Sequence, residues 1–245
     1  MNSDRCWTRR PTWAVPGSSS IGSSERSAEG DRLVLDSHRD RAEPALGRIA
    51  GPFMGMDPDV LTWIAFLMAV LSGGLLYLGG GALLLLAALT IFLSALFDAL
   101  DGRVAKSTGR ASPRGDLLDH TLDRYADIFI LGGIMFGPYC RFPIGFLGLL
   151  GVLMASYMGT QAHALTGRRD YGGLVGRADR LVLLVVFIVV QYLLGLHVTV
   201  MGLSALELLM VWFAVAGQIT AAYRGVRTWR MLGDQTTRAR RGRVG

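Results

Sequence analysis

Apolar residues in this chain cluster in long runs rather than in the three-and-four spacing of a water-facing helix. Five such runs lie at residues 61–78, 82–100, 117–136, 144–165 and 181–196, and a sixth lies inside 198–223. Each approaches the roughly 20 residues that a helix needs to cross a bilayer core. The stretch 81–97 has no polar stripe for water, which argues against a soluble bundle. The pattern predicts an all-α integral membrane protein with six transmembrane helices. Ahead of the runs, Leu35, Leu46 and Ile49 alternate with Asp36, Arg39, Arg41 and Arg48, which predicts an N-terminal interfacial amphipathic helix ending before Pro52. Residues 1–32 are rich in Ser, Gly, Arg and Pro without apolar periodicity and read as a disordered tail. Residues 33–223 then form one membrane domain, and residues 224–245 a basic cytoplasmic tail, also disordered.

Composition supports this. Of 245 residues, 51% are hydrophobic and 18% charged, against about 25% charged in soluble proteins. The net charge of +6 sits beside the apolar runs, so its partner is the lipid bilayer surface and not nucleic acid. Basic residues also alternate between loops. Arg103, Lys106, Arg110 and Arg114 follow the second run, and Arg168, Arg169, Arg177 and Arg180 follow the fourth. The intervening loops hold only Arg141 and His197. The positive-inside rule places both termini and both basic loops on the cytoplasmic side of the plasma membrane, which requires an even number of spans. The two cysteines, Cys6 and Cys140, have neither metal-site spacing nor a shared context for a disulfide.

The candidate chemistry is a set of four acids. Asp98 and Asp101 lie three apart at the end of the second run, and Asp119 and Asp123 lie four apart at the start of the third. One helical turn separates the members of each pair, so each pair shares a face at the same membrane boundary. Clustered anions there need a cation. Mg²⁺ takes carboxylate oxygens together with substrate phosphates, and two such ions can clamp both sides of a phosphoryl displacement. Lys106 suits the remaining phosphate charge, and the small residues Gly102, Ala105 and Gly115 admit a ligand close to the backbone.

These residues resemble the signature of the CDP-alcohol phosphotransferase family, D-x-x-D-G-x-x-A-R followed by G-x-x-x-D-x-x-x-D. It reads here as Asp98, Asp101, Gly102, Ala105, Lys106, Gly115, Asp119 and Asp123, with Lys106 where the family carries Arg. Pro58, Asp59 and Thr62 are similar to the family's Pro-Asn-x-x-Thr element, with Asp59 in place of Asn. The resemblance implies a transferase that moves a phosphatidyl-type group from a CDP-linked lipid donor to a polar alcohol acceptor and releases CMP. It implies two Mg²⁺ ions, or Mn²⁺, on Asp98, Asp101, Asp119 and Asp123, with Asp123 also the general base. It implies nucleotide and diphosphate contacts at Gly102, Ala105, Lys106, Gly115, Pro58 and Thr62, and a homodimer. Acceptor-phosphate arginines follow a Ser-Tyr on the fourth span in members that take phosphorylated alcohols. Here Ser156-Tyr157 is followed by no Arg, whereas Arg177 and Arg180 before the fifth span are present. The stretch 171–180 is similar to archaeal members. The expected acceptor is a phosphorylated polyol such as glycerol phosphate or inositol phosphate. The alternative is a cation transporter using intramembrane carboxylates. It predicts acids at mid-membrane on several spans, and these sit at one boundary on two.

Overall fold

The computed structural model describes residues 50–167, 176–195 and 202–241, with side chains as far as 233, all within the unit Leu33–Gly245. The surface helix expected at 33–49, the tail 1–32, and Arg168, Arg169 and His197 lie outside the described residues. After a short 3₁₀ turn at Gly51–Phe53 come six long helices: α1 (Pro58–Leu78), α2 (Gly81–Ser107), α3 (Pro113–Phe136), α4 (Phe142–Thr166), α5 (Arg177–Leu194) and α6 (Ala205–Arg241). No β-strand occurs among the described residues. Among the described residues, four helices are long and apolar enough to cross a membrane: Pro58–Leu78, Gly81–Ser107, Phe142–Thr166 and Ala205–Gly233. The other two, α3 and α5, carry charged residues at their N-terminal ends.

Local chemistry explains where these helices begin. Asp57 caps α1, its carboxylate accepting from the Asp59 N–H at 3.1 Å, and Pro58 takes the first position. Ser112 and Pro113 repeat this at α3, with the Ser112 hydroxyl accepting from the Gly115 N–H at 3.1 Å. Two helix ends differ from the sequence expectation. The second helix does not stop near residue 100 but runs to Ser107, where Gly109 at φ 68° reverses the chain and the N–H groups of Arg110 and Ala111 return to the Ala105 carbonyl. The segment from residue 224 was expected to be a disordered tail, but it is helical to Arg241. In both cases hydropathy falls while good helix formers continue, so the edge of the apolar run marks the membrane boundary and not the helix end.

Helix packing closes a cycle. α1 packs along both α2 and α3, α2 against α5, α5 against α6, α6 against α4, and α4 against α3. The core is aliphatic, with Leu76, Ile91, Ile130, Ile188, Leu206 and Phe213 fully buried. Two glycine pairs bring backbones into contact. A Cβ on Gly133 of α3 would strike the Gly73 backbone of α1, and a Cβ on Gly217 of α6 would strike the Gly151 backbone of α4. Such small-residue contacts supply van der Waals packing between helices in lipid, where burial from water drives nothing. Gly217→Ala is therefore expected to cost about 1–3 kcal/mol of packing. It should lower the unfolding temperature in detergent by several degrees, and a wild-type unfolding temperature would rule the contact out.

At the pole away from the acids, the Gly80 N–H donates to the Tyr139 hydroxyl at 2.7 Å. The Arg141 backbone N–H and Nε both donate to Glu207 Oε1 at 2.8 Å, tying the α3–α4 turn to the start of α6. Burial, then the nearby Glu207 carboxylate, push the Cys140 thiol up to about 11. It stays protonated at neutral pH and supplies no nucleophile there.

Candidate active site

The C-terminal third of α2 and the N-terminal turns of α3 bring the acids to the same pole, where α1 and α5 also begin. Asp98, Asp119 and Asp123 each offer a carboxylate oxygen within 4.8 Å of the other two. An ion with ligands at about 2.1 Å sets opposite oxygens about 4.2 Å apart, so small side-chain rotations close the set around one ion. The donor chemistry fits a hard divalent cation, being three carboxylates without sulfur or imidazole. A second observation supports the fit: Asp119 Oδ1 is buried without a hydrogen-bond partner. A buried lone pair left unsatisfied is costly unless something binds it.

Asp101 stands apart from this set. It is 5% exposed, and its Oδ2 accepts from the Thr62 hydroxyl at 2.6 Å. The same hydroxyl lies 3.1 Å from the Pro58 carbonyl. Asp101 and Asp119 both line a cavity of about 150 Å³ shared by α1, α2 and α3. Pro58, Thr62, Gly102, Ala105, Lys106 and Gly115, all expected at the nucleotide, line this cavity too. Thr62→Val removes the donor that orients Asp101 and keeps the side-chain volume. A hydrogen bond to a charged group contributes about 1.5–3 kcal/mol, so donor turnover should fall roughly tenfold or more. Unchanged kinetics would show that Asp101 needs no orientation from α1.

The cavity is also lined by Arg110, Ala111, Ser112 and Asp116, which motif spacing missed, and by Asp59 of the expected nucleotide element. The Gly109 reversal returns the loop carrying Arg110, Ala111 and Ser112 to the end of α2. From sequence Arg110 is one more positive-inside charge. The signal was Gly109 directly before it, which marks a turn and not an extended loop.

The two arginines of α5 reach carboxylates distant in the chain, Arg177 at Asp98, 79 residues away, and Arg180 at Asp127, 53 residues away. Arg177 Nη1 donates to Asp98 Oδ1 at 2.6 Å, and Nη2 pairs with Asp123 Oδ1. Arg180 is 6% exposed and donates through Nη1 to Asp127 Oδ2 at 3.2 Å. Arg124 lies 3.7 Å from both Asp123 and Asp127. Carboxylates and guanidiniums thus alternate from Asp98 to Arg180. His120 rests beside Asp119 at 3.5 Å but outside the three-acid set.

Residues 56–220 match the family model of the CDP-alcohol phosphatidyltransferases. The chain is 33% identical over 153 residues to the archaetidylinositol phosphate synthase of Pyrococcus horikoshii, covering 62% of this chain and 80% of that one. It is 30% identical over 203 residues to the archaetidylinositol phosphate synthase of Methanothermobacter thermautotrophicus, covering 81% and 98%. Among solved structures it is similar to the phosphatidylinositol phosphate synthase of Mycobacterium tuberculosis with CDP-DAG bound, at TM-score 0.62 and 26% identity over 74% of this chain and 94% of that one. That protein has also been solved in complex with manganese and citrate. The acids at one pole, the cavity beside them and the match over residues 56–220 place this chain in the CDP-alcohol phosphatidyltransferase family of membrane enzymes.

Proposed function

We propose that the protein transfers a lipid phosphoryl group from a CDP-linked lipid to a phosphorylated polyol, with inositol phosphate the leading acceptor, and releases CMP. The observation that carries this reading is the convergence of Asp98, Asp119 and Asp123 beside a cavity lined by Lys106 and Arg110, with Arg177 at the same carboxylates. The relatives named above, which are synthases of inositol phosphate lipids, favour that acceptor.

The cavity is smaller than the roughly 300–1,000 Å³ of a whole small-molecule site, so it takes the polar head of the donor and leaves the tails to lipid. Gly102, Ala105 and Gly115 let the nucleotide lie against the helix backbones. Lys106 and Arg110 neutralise diphosphate oxygens. Asp98, Asp119 and Asp123 would hold one divalent ion, Mg²⁺ or Mn²⁺, and Asp101 with Asp119 a second; bound there, such ions would supply positive charge against the diphosphate and the CMP leaving group. Asp123 takes the proton from the acceptor hydroxyl as that oxygen bonds to the lipid-side phosphorus. The bond from that phosphorus to the bridging oxygen breaks, and CMP carries the electron pair away. Arg177 holds the acceptor phosphate, and Arg180 takes its share of that pocket while braced on Asp127.

In this reading all six helices span the plasma membrane with the acid pole and both termini cytoplasmic. Residues 33–223 form the catalytic domain, flanked by the tails 1–32 and 224–245, and two copies associate as a homodimer. An acceptor screen with purified protein, CDP-lipid and Mg²⁺ tests the substrate. Inositol phosphate should support the fastest CMP release, followed by glycerol phosphate. Equal rates with serine or free inositol would remove the phosphate-binding role of Arg177.

A further inference from the structure

Arg177 touches the acids expected to hold metal, and that contact has a consequence. We infer that Arg177 is a built-in competitor of the divalent ion at Asp98 and Asp123, and that metal loading releases its guanidinium to the acceptor phosphate. The inference deepens the proposed metal-centre reading and rests on it. The guanidinium donates through Nη1 to Asp98 Oδ1 at 2.6 Å and pairs through Nη2 with Asp123 Oδ1, so one fork spans two of the three carboxylates. Arginine stays charged at any physiological pH, so it does not leave by losing a proton. A dication bound to the same carboxylates repels it, and the lone pairs it occupies are closed to the ion.

The geometry also gives an order of entry. Asp119 belongs to the set but makes no contact with Arg177 in the ion-pair network, and its buried Oδ1 has no partner. The ion meets Asp119 first and gains Asp98 and Asp123 as the guanidinium departs. Departure is cheap in backbone terms. Arg177 is the first residue of α5 and follows Gly176, so the side chain swings from a helix terminus. Arg180 stays on Asp127 and holds α5 against α3 meanwhile. Because the ion frees the phosphate ligand, metal and acceptor phosphate bind with positive coupling, and by linkage each tightens the other.

The test is Mn²⁺ binding to full-length, chelator-stripped protein in detergent without substrate, read by electron paramagnetic resonance. Arg177→Gln should tighten Mn²⁺ affinity about tenfold or more, within the usual range for coupled sites. Arg124→Gln removes the same charge from 3.7 Å beside Asp123 without spanning the set, and should tighten it less than about threefold. Arg177→Lys keeps the charge but loses the fork, and should fall between wild type and Arg177→Gln. Unchanged or weaker Mn²⁺ binding by Arg177→Gln, or an effect no larger than that of Arg124→Gln, overturns the inference. Asp119→Asn should abolish binding in all backgrounds. Wild-type protein that binds no Mn²⁺ would instead overturn the metal-centre reading itself.

Discussion

Asp123→Asn is expected to lower CMP release by at least about 10³-fold while the protein still purifies as a folded membrane protein. Two roles meet at this residue. Its oxygens belong to the three-acid set, and it is the proposed base, a function that alone contributes about 10²–10⁴-fold. Asn keeps the shape and removes both the charge and the proton-accepting oxygen. It also leaves Arg177 with one carboxylate instead of two, so a drop in activity should come with tighter binding of free phosphate at Arg177. Near-normal CMP release by Asp123→Asn would remove both roles at once.

Asp127→Ala is expected to have the largest effect on stability. The Asp127 carboxylate holds Arg180, which is buried with its Nε already unpartnered, and lies 3.7 Å from Arg124. Removing one member of a buried pair leaves the other charge without compensation, at a cost of about 3–5 kcal/mol. For a chain of this size that lowers the unfolding temperature by about 6–20 °C. Asp127→Asn, which keeps one acceptor, should cost less. The double variant Asp127→Ala with Arg180→Met should recover most of the loss, because it removes the stranded charge. Equal destabilisation in the single and double variants would show that Arg180 is not held by Asp127. The measurement is thermal unfolding in one detergent, followed by loss of monodispersity.

Much of this site is written in short-range spacing. Asp98 and Asp101, and Asp119 and Asp123, lie one turn apart, so helix geometry alone puts each pair on a face. The hydropathy runs located the cores of the six long helices among the described residues, because a helix segment in the hydrocarbon core is predominantly apolar. What spacing does not carry is contact between distant segments. Nothing near Asp101 in sequence names Thr62 as its donor, and nothing near Asp98 names Arg177, 79 residues on. Those pairs depend on how α1 and α5 pack around α2. The three-acid set is a similar case. From sequence all four acids are expected at the metal ions, whereas packing turns Asp101 toward Thr62 and the cavity and gathers the other three. The extensions of α2 and α6 escape hydropathy for a different reason. The edge of an apolar run reports where lipid ends, and a helix carries on until glycine or a cap stops it, as Gly109 stops α2.

Transfer from a CDP-linked lipid at these acids is tested by supplying purified protein with a CDP-linked lipid, Mg²⁺ and inositol phosphate and measuring CMP together with the lipid product. CMP and inositol phosphate lipid should form in equal amounts, both lost on chelation and both absent in Asp98→Asn. Mg²⁺ flux across proteoliposomes without CMP release, or CMP release unaffected by chelation and by Asp98→Asn, would contradict it.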